Sequence, residues 1–356
     1  MSTLFDPINV GKLTLANRVA MAPMTRNRSD DDGVPTALVA EYYAQRAGAG
    51  LLITEGTQPS ATGQGYFATP GLHSDAQVEG WRAVADAVHA RGGRIFAQLM
   101  HAGRVGHPDN KTTPELVAPS AVAAPGEIFT RKGMQPQPVP RALEEAEIPS
   151  VIEEFAHAAR QAVAAGLDGV EVHAANGYLV HQFLGPTSNL RADGYGGTPG
   201  NRARFAIEVV RAAAEAIGPE KVGIRISPAH NIQGVIEDDE QATAATYGTL
   251  VDAIAPLGIA YLSYVADPRS ALARDLTARF GGVTIANDGF AAVTSLESAQ
   301  AIVSEGLADM VAVGRPLLAN PDLVERWRSG ATLNEANQAT FYGGGAEGYT
   351  DYPALV

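Results

Sequence analysis

The stretch VIEEFAHAARQAVAAGLDGVEVHAA, residues 151–175, holds the unit that decides the fold. Its first part (151–166) places Ile152, Phe155, Ala159 and Val163 on one apolar face of a helix. Its last part, GVEVHAA (169–175), is a short valine-rich run, too continuously apolar for a strand with one face in water. The same alternation extends in both directions. Upstream lie RVAMAP (18–23), LLITEGT (51–57) and RIFAQLM (94–100); downstream lie VGIRIS (222–227), AYLSYV (260–265), VTIAND (283–288) and MVAVG (310–314). Helical patterns fit 36–47, 75–92, 201–217, 239–255, 294–305 and 321–329, the last opening on Asn320-Pro321 as cap and first position. Eight buried strands alternating with helices predict an α/β protein, a (β/α)8 TIM barrel. A doubly wound open sheet is the rival, but no GxGxxG turn follows the first strand. The expectation is one barrel domain over residues 1–356.

Composition agrees with a large folded core. Of 356 residues, 46% are hydrophobic and 18% charged. The formal charge of −13 repels phosphate backbones and argues against a nucleic-acid partner. Cysteine is absent, which excludes disulfides, thiolate nucleophiles and cysteine-held clusters. MSTLFDPINVGKL does not read as a signal peptide, and no apolar run is long enough to span a membrane. A cytoplasmic enzyme acting on a small molecule is expected, as monomer or homodimer.

Two connections exceed simple turns. Residues 101–148, with seven prolines, follow the third strand, and residues 176–200 follow the fourth. Both leave strand C-termini, where barrel enzymes place their chemistry, so both read as active-site loops at the C-terminal face. The closing TFYGGGAEGYTDYPAL (340–355) is too patterned for a loose tail and is expected to fold back over the barrel.

The densest polar cluster is HAANGYLVHQFLGPTSNLRADGYGG (173–197). Two donors, His173 and Asn176, converging on one oxygen would polarise a carbonyl. The phenol of Tyr178 could then protonate carbon. On spacing alone, the commoner reading is structural, with His173 and Asn176 satisfying loop backbone and Tyr178 a buried aromatic. Arg225, set among apolar neighbours, demands an anion, either a ligand or a carboxylate such as Glu55. His101 and His107 have no metal-ligand spacing, and no metal is expected.

The string HAANGYLVHQFL…SNLRADGYGG…NRARF resembles the signature of the old yellow enzyme family, FMN-dependent ene-reductases. MAPMTRNRS (21–29), EGTQPSATGQGY (55–66), QLMHAGR (98–104), VGIRISP (222–228), ADMVAVGRPLLANPDL (308–323) and FYGGGAEGYTDYP (341–353) match in order through nearly the whole chain.

The resemblance implies FMN as cofactor and NADPH or NADH as donor, with hydride passing from flavin N5 to the β-carbon of an α,β-unsaturated carbonyl or nitro compound. It implies Pro23, Met24 and Thr25 beside the flavin, the Thr25 hydroxyl near O4. Gly56 would let backbone approach the ring, Gln98 would pair with the pyrimidine edge, and Arg225 would face N1 and O2. Phosphate is implied at Asp288-Gly289 and Gly314-Arg315. Asp288 departs from the small residue usual there, so its side chain must point away. His173 and Asn176 would hold the carbonyl and Tyr178 would protonate. Tyr66, Met100, Phe341 and Tyr342 would line the pocket, Met100 standing where some relatives have tryptophan.

Two other readings are a flavin-free lyase binding phosphate at Gly314-Arg315, and an idle flavin-binding scaffold. A Schiff-base lyase needs a lysine at a strand C-terminus, and Lys12, Lys111, Lys132 and Lys221 are not so placed.

Overall fold

The computed structural model describes residues 2–289 and 292–355. Eight parallel strands close into a barrel, in chain order Val19–Met21, Leu51–Ile53, Ile95–Leu99, Gly169–Ala174, Val222–Ile226, Tyr261–Val265, Thr284–Asn287 and Met310–Val313. The eighth closes on the first through Val311↔Val19 and Val313↔Met21. Each strand lies within its expected span, which confirms the TIM barrel. The second is shorter than expected: its ladder is interrupted after Ile53, where the Thr54 and Thr57 hydroxyls both donate to the Glu55 carbonyl, and resumes as a bridge between Thr57 and Leu99.

Helices cover the outside. The helix Ile148–Ala164 buries Val151, Phe155, Ala158, Ala159 and Ala162. That face is rotated from the expected one, since Ile152 and Val163 are only half-buried. A helix not anticipated, Ala271–Phe280, links the sixth and seventh strands; Ser270 caps it and Gly281, left-handed at φ 62°, ends it. Asn320-Pro321 does not open the final helix. It breaks the chain between Arg315–Ala319 and Leu323–Ser329, the second being preceded by Asp322.

Strand side chains alternate between two environments. One set packs outward against the helices. The inward set has an apolar lower layer, with Ala20, Leu51, Phe96, Tyr261, Ile285 and Met310, plugged by Val10 and Leu15 of an N-terminal hairpin. Further along the strands the inward set turns polar: Gln98, Glu171, His173, Arg225 and Ser263 are all buried. Strand period two carries each strand from core to site within one or two pleats.

The final segment does fold back over the barrel, held by buried arginines. Arg26 donates from Nε to the Phe341 carbonyl (2.9 Å) and from Nη2 to that of Gly348 (2.8 Å); Arg28 donates to the Thr340 carbonyl (2.9 Å). Tyr349 stacks on Tyr42 at 4.0 Å, with both guanidiniums over its ring. Among the described residues, no helix is long and apolar enough to cross a membrane.

Candidate active site

At the C-terminal mouth lies a cleft in two joined chambers of about 390 and 110 Å³, which share Pro23, Met24 and Arg315 as walls. The larger gathers Thr25, Gly56, Gln98, Met100, His173, Asn176 and Tyr178, closed above by Tyr66, Phe341 and Tyr342. The smaller holds Arg225, Gly289 and Gly314. Every expected site residue but Asp288 therefore borders one cleft. Asp288 turns away, accepting a hydrogen bond from Ser298 Oγ (3.0 Å) and facing a different cavity. Its carboxylate thus points away from the cleft, as the sequence reading required of an acid at this position.

The loop after the fourth strand is built to aim its side chains. Asn176 (φ 59°) and Gly177 (φ 83°) are both left-handed, a conformation that asparagine tolerates and glycine adopts freely. A Cβ at Gly177 would sit 2.4 Å from that of Gln233. The Asn176 N–H donates to Ser227 Oγ, and the Gly177 N–H to Nδ1 of buried His181. His181 Nε2 lies 3.5 Å from Glu237, which also accepts from the Ala229 N–H and the Tyr247 hydroxyl. The loop is thus anchored on the far side from the cleft.

Four buried polar atoms of residues lining the cleft have no protein partner: Arg26 Nη1, His173 Nδ1, Asn176 Oδ1 and Arg225 Nε. Leaving such atoms unpaired costs roughly 1–3 kcal/mol each, so they mark where a ligand belongs. Burial, aided by the charge of Arg225, holds His173 well below the usual histidine pKa, so it is neutral. Burial pushes Tyr178 well above the usual phenol range, so it keeps its proton; its hydroxyl lies 3.1 Å from that of Tyr66.

Gly56 borders the cleft, and a Cβ there would lie 2.5 Å from Sδ of Met100, so the methionine side chain would have to move. Arg225 does not pair with Glu55, whose Oε2 accepts the backbone N–H groups of Arg26 and Asn27. Arg225 instead donates to Ser263 Oγ (3.3 Å) and Asn287 Oδ1 (3.5 Å), under the field of Glu171. Glu171, Tyr261, Ser227, Ile232 and Gln233 belong to the site or its support and were not anticipated. For Glu171 a signal existed, a carboxylate two residues before His173 and hence on the same inward face.

A larger cavity, about 750 Å³, lies beyond Gly289 and includes Glu240, Asp267, Asp275 and Asp288. Its acidic lining repels phosphate, and none of the unpartnered buried atoms belongs to a residue lining it. Size does not make it the site.

His101 and His107 bind no common partner: Nδ1 of His101 accepts the Gly103 N–H, and that of His107 the Asp109 N–H. Burial pushes His101 down to about 3. A depressed histidine contributes stability above its unfolded value of about 6.5, lost as pH falls toward 3. Between pH 8 and pH 5, His101→Asn should therefore lose about 2 kcal/mol less stability than the wild type. Denaturant titrations at the two pH values check this, and parallel losses in both proteins refute it.

The profile of the NADH:flavin oxidoreductase / NADH oxidase family matches residues 3–334. This chain belongs to that family, the old yellow enzymes. A Leishmania infantum protein described as a "probable flavin mononucleotide-dependent alkene reductase" is 43% identical over 100% of this chain and 98% of its own. The 12-oxophytodienoate reductase 7 of Oryza sativa is 39% identical over 99% of this chain and 94% of its own. The structure of morphinone reductase in complex with tetrahydroNAD superposes with TM-score 0.94 at 46% identity, covering 100% of this chain and 98% of that one. This old yellow enzyme is an NAD(P)H-dependent flavin ene-reductase with FMN as cofactor. The cleft fits that cofactor: a two-part cavity carries unpartnered polar atoms in each chamber and an arginine shared by both.

Proposed function

We propose that this enzyme reduces the activated double bond of α,β-unsaturated carbonyl compounds, with His173 and Asn176 gripping the carbonyl oxygen and Tyr178 delivering the proton. The observation that carries this reading is the buried, unpartnered His173 Nδ1 in the chamber that also holds the Asn176 amide and the Tyr178 side chain.

When bound, FMN supplies the hydride chemistry, accepting from NADH or NADPH and giving to the β-carbon. The chain positions and polarises. Gln98 and Arg225 would hold the pyrimidine side, and Pro23, Met24, Thr25 and Gly56 the ring edge. Gly289, Gly314 and Arg315 would take the phosphate, where bare backbone and a planar cation suit its oxygens. Neutral His173 donates an N–H without bringing a charge, so the oxygen is polarised most as negative charge grows on it. Tyr66 fixes the rotation of the Tyr178 hydroxyl. A nitro group presents oxygens to the same donors, which extends the reading to nitroalkenes. Anaerobic titration of the purified holoenzyme with NAD(P)H, followed by reoxidation with cyclohexenone, tests it; flavin that is reduced but not reoxidised by any enone or nitroalkene refutes it.

Outside the main chamber, Phe67 and Phe129 border a second space of about 370 Å³ that shares Thr25, Tyr66, Tyr178 and Tyr342 with it. Phe129, 58% exposed on the Glu127–Thr130 strand of a hairpin, packs on Phe67 at 5.9 Å. Aromatic contacts of this kind contribute about 0.5–1.5 kcal/mol. Phe129→Ala should raise KM about 3–10-fold for aryl-substituted enones and leave cyclohexenone kinetics unchanged. Equal effects on both substrates in steady-state assays rule this out.

A further inference from the structure

Gln98, Glu171, Gly223 and Tyr261 share one level of the barrel, since the strand register pairs Glu171 with both Gln98 and Gly223, and Gly223 with Tyr261. Alternation points all four inward. Gly223 has no side chain, and a Cβ there would lie 2.3 Å from the Tyr261 ring. That gap lets the Tyr261 ring cross the fifth strand and reach Glu171. The fully buried Glu171 carboxylate accepts from Gln98 Nε2 at 2.8 Å and from the Tyr261 hydroxyl at 3.0 Å. One pleat higher, His173 pairs in register with Arg225.

We propose that Glu171 is a positioning residue of the flavin site: it fixes which edge of the Gln98 amide faces the cleft and, with Arg225, sets the charge felt by the flavin's pyrimidine side. The inference rests on that side of the flavin lying over Gln98 and Arg225, as proposed above.

The first part follows from hydrogen-bond chemistry. An ionised carboxylate only accepts, so the Gln98 amino group must turn toward it. One amide hydrogen is committed to Glu171, and the Oε1 atom and second N–H are left for the cleft. The second part follows from charge. Electron density gathering on the pyrimidine side is favoured by Arg225 and opposed by Glu171. Both groups are buried, where screening is weak; burial pushes the Glu171 pKa up, while the Arg225 charge and the Gln98 and Tyr261 donors favour its ionised form. The carboxylate therefore moderates the arginine and holds the flavin's affinity for electrons below what Arg225 alone would impose.

Two substitutions shift this balance in opposite directions. Glu171→Gln removes the negative charge and frees the Gln98 amide to flip. It should strengthen binding of reduced over oxidised flavin about tenfold or more, a rise of about 30 mV in midpoint potential for a two-electron couple. Tyr261→Phe keeps the ring but removes a donor that disperses the carboxylate's charge, and should lower the potential. Both are read on holoenzyme by spectral titration against reference dyes. A merely structural role for Glu171 would leave the potential unchanged. Unchanged potentials, or shifts of the same sign, overturn the proposal. If Glu171→Gln does not fold or keep its flavin, Tyr261→Phe decides: a lowered potential supports the proposal and an unchanged one overturns it. Wild-type protein that takes up no flavin overturns this and the reading of the site together. Flavin retained with unaltered potentials overturns this one alone.

Discussion

Replacing Tyr178 with phenylalanine is expected to leave flavin reduction by NAD(P)H at its wild-type rate and to slow alkene reduction by roughly 10²–10⁴-fold. The half-reactions separate because only the second needs a proton delivered to carbon. Burial and the Tyr66 neighbour keep the Tyr178 phenol protonated at neutral pH, and its hydroxyl borders the same chamber as His173 and Asn176. Phenylalanine keeps the ring that packs 5.2 Å from the His173 ring, so the pocket's shape survives. Stopped-flow measurement of the two half-reactions decides it. Equal slowing of both would remove Tyr178 from the proton-donor role.

His173→Ala is expected to slow alkene reduction about 10²–10³-fold, the loss typical of removing one preorganised donor from a developing oxyanion. The effect should fall mainly on the oxidative half-reaction rate, since the donor matters most where charge appears. The Asn176→Ala change should act similarly. If both side chains grip one oxygen, the double variant will lose less than the product of the two single losses. A double variant showing the full product indicates separate oxygens, and a His173→Ala enzyme with unaltered alkene kinetics discards the shared grip. His173 is already neutral, so titration of this residue should not set the acid limb of the pH–rate profile near pH 6.

Both experiments address residues that the amino-acid sequence already marks. The fold was legible because a closed parallel barrel buries both faces of every strand. Val19–Met21, Leu51–Ile53 and Met310–Val313 had to be continuous apolar runs. The Ala271–Phe280 helix was missed although Ala273, Leu276 and Phe280 keep helical spacing, because it is only ten residues long and four of them are polar or charged. The rotated face of Ile148–Ala164 has a similar origin: small alanines carry much of the packing, and hydrophobicity alone does not rank them against Ile152 and Val163.

By itself, the amino-acid sequence determined the barrel, the loops that carry the chemistry, and a set of polar residues at strand ends, because strand period and residue type are local properties. Tertiary structure alone decided which of these residues share a cavity. It brought Gly56 against the Met100 thioether and took Arg225 from Glu55 to the field of Glu171. Both depend on separate strands meeting at one level of the barrel, a distance that no local pattern encodes.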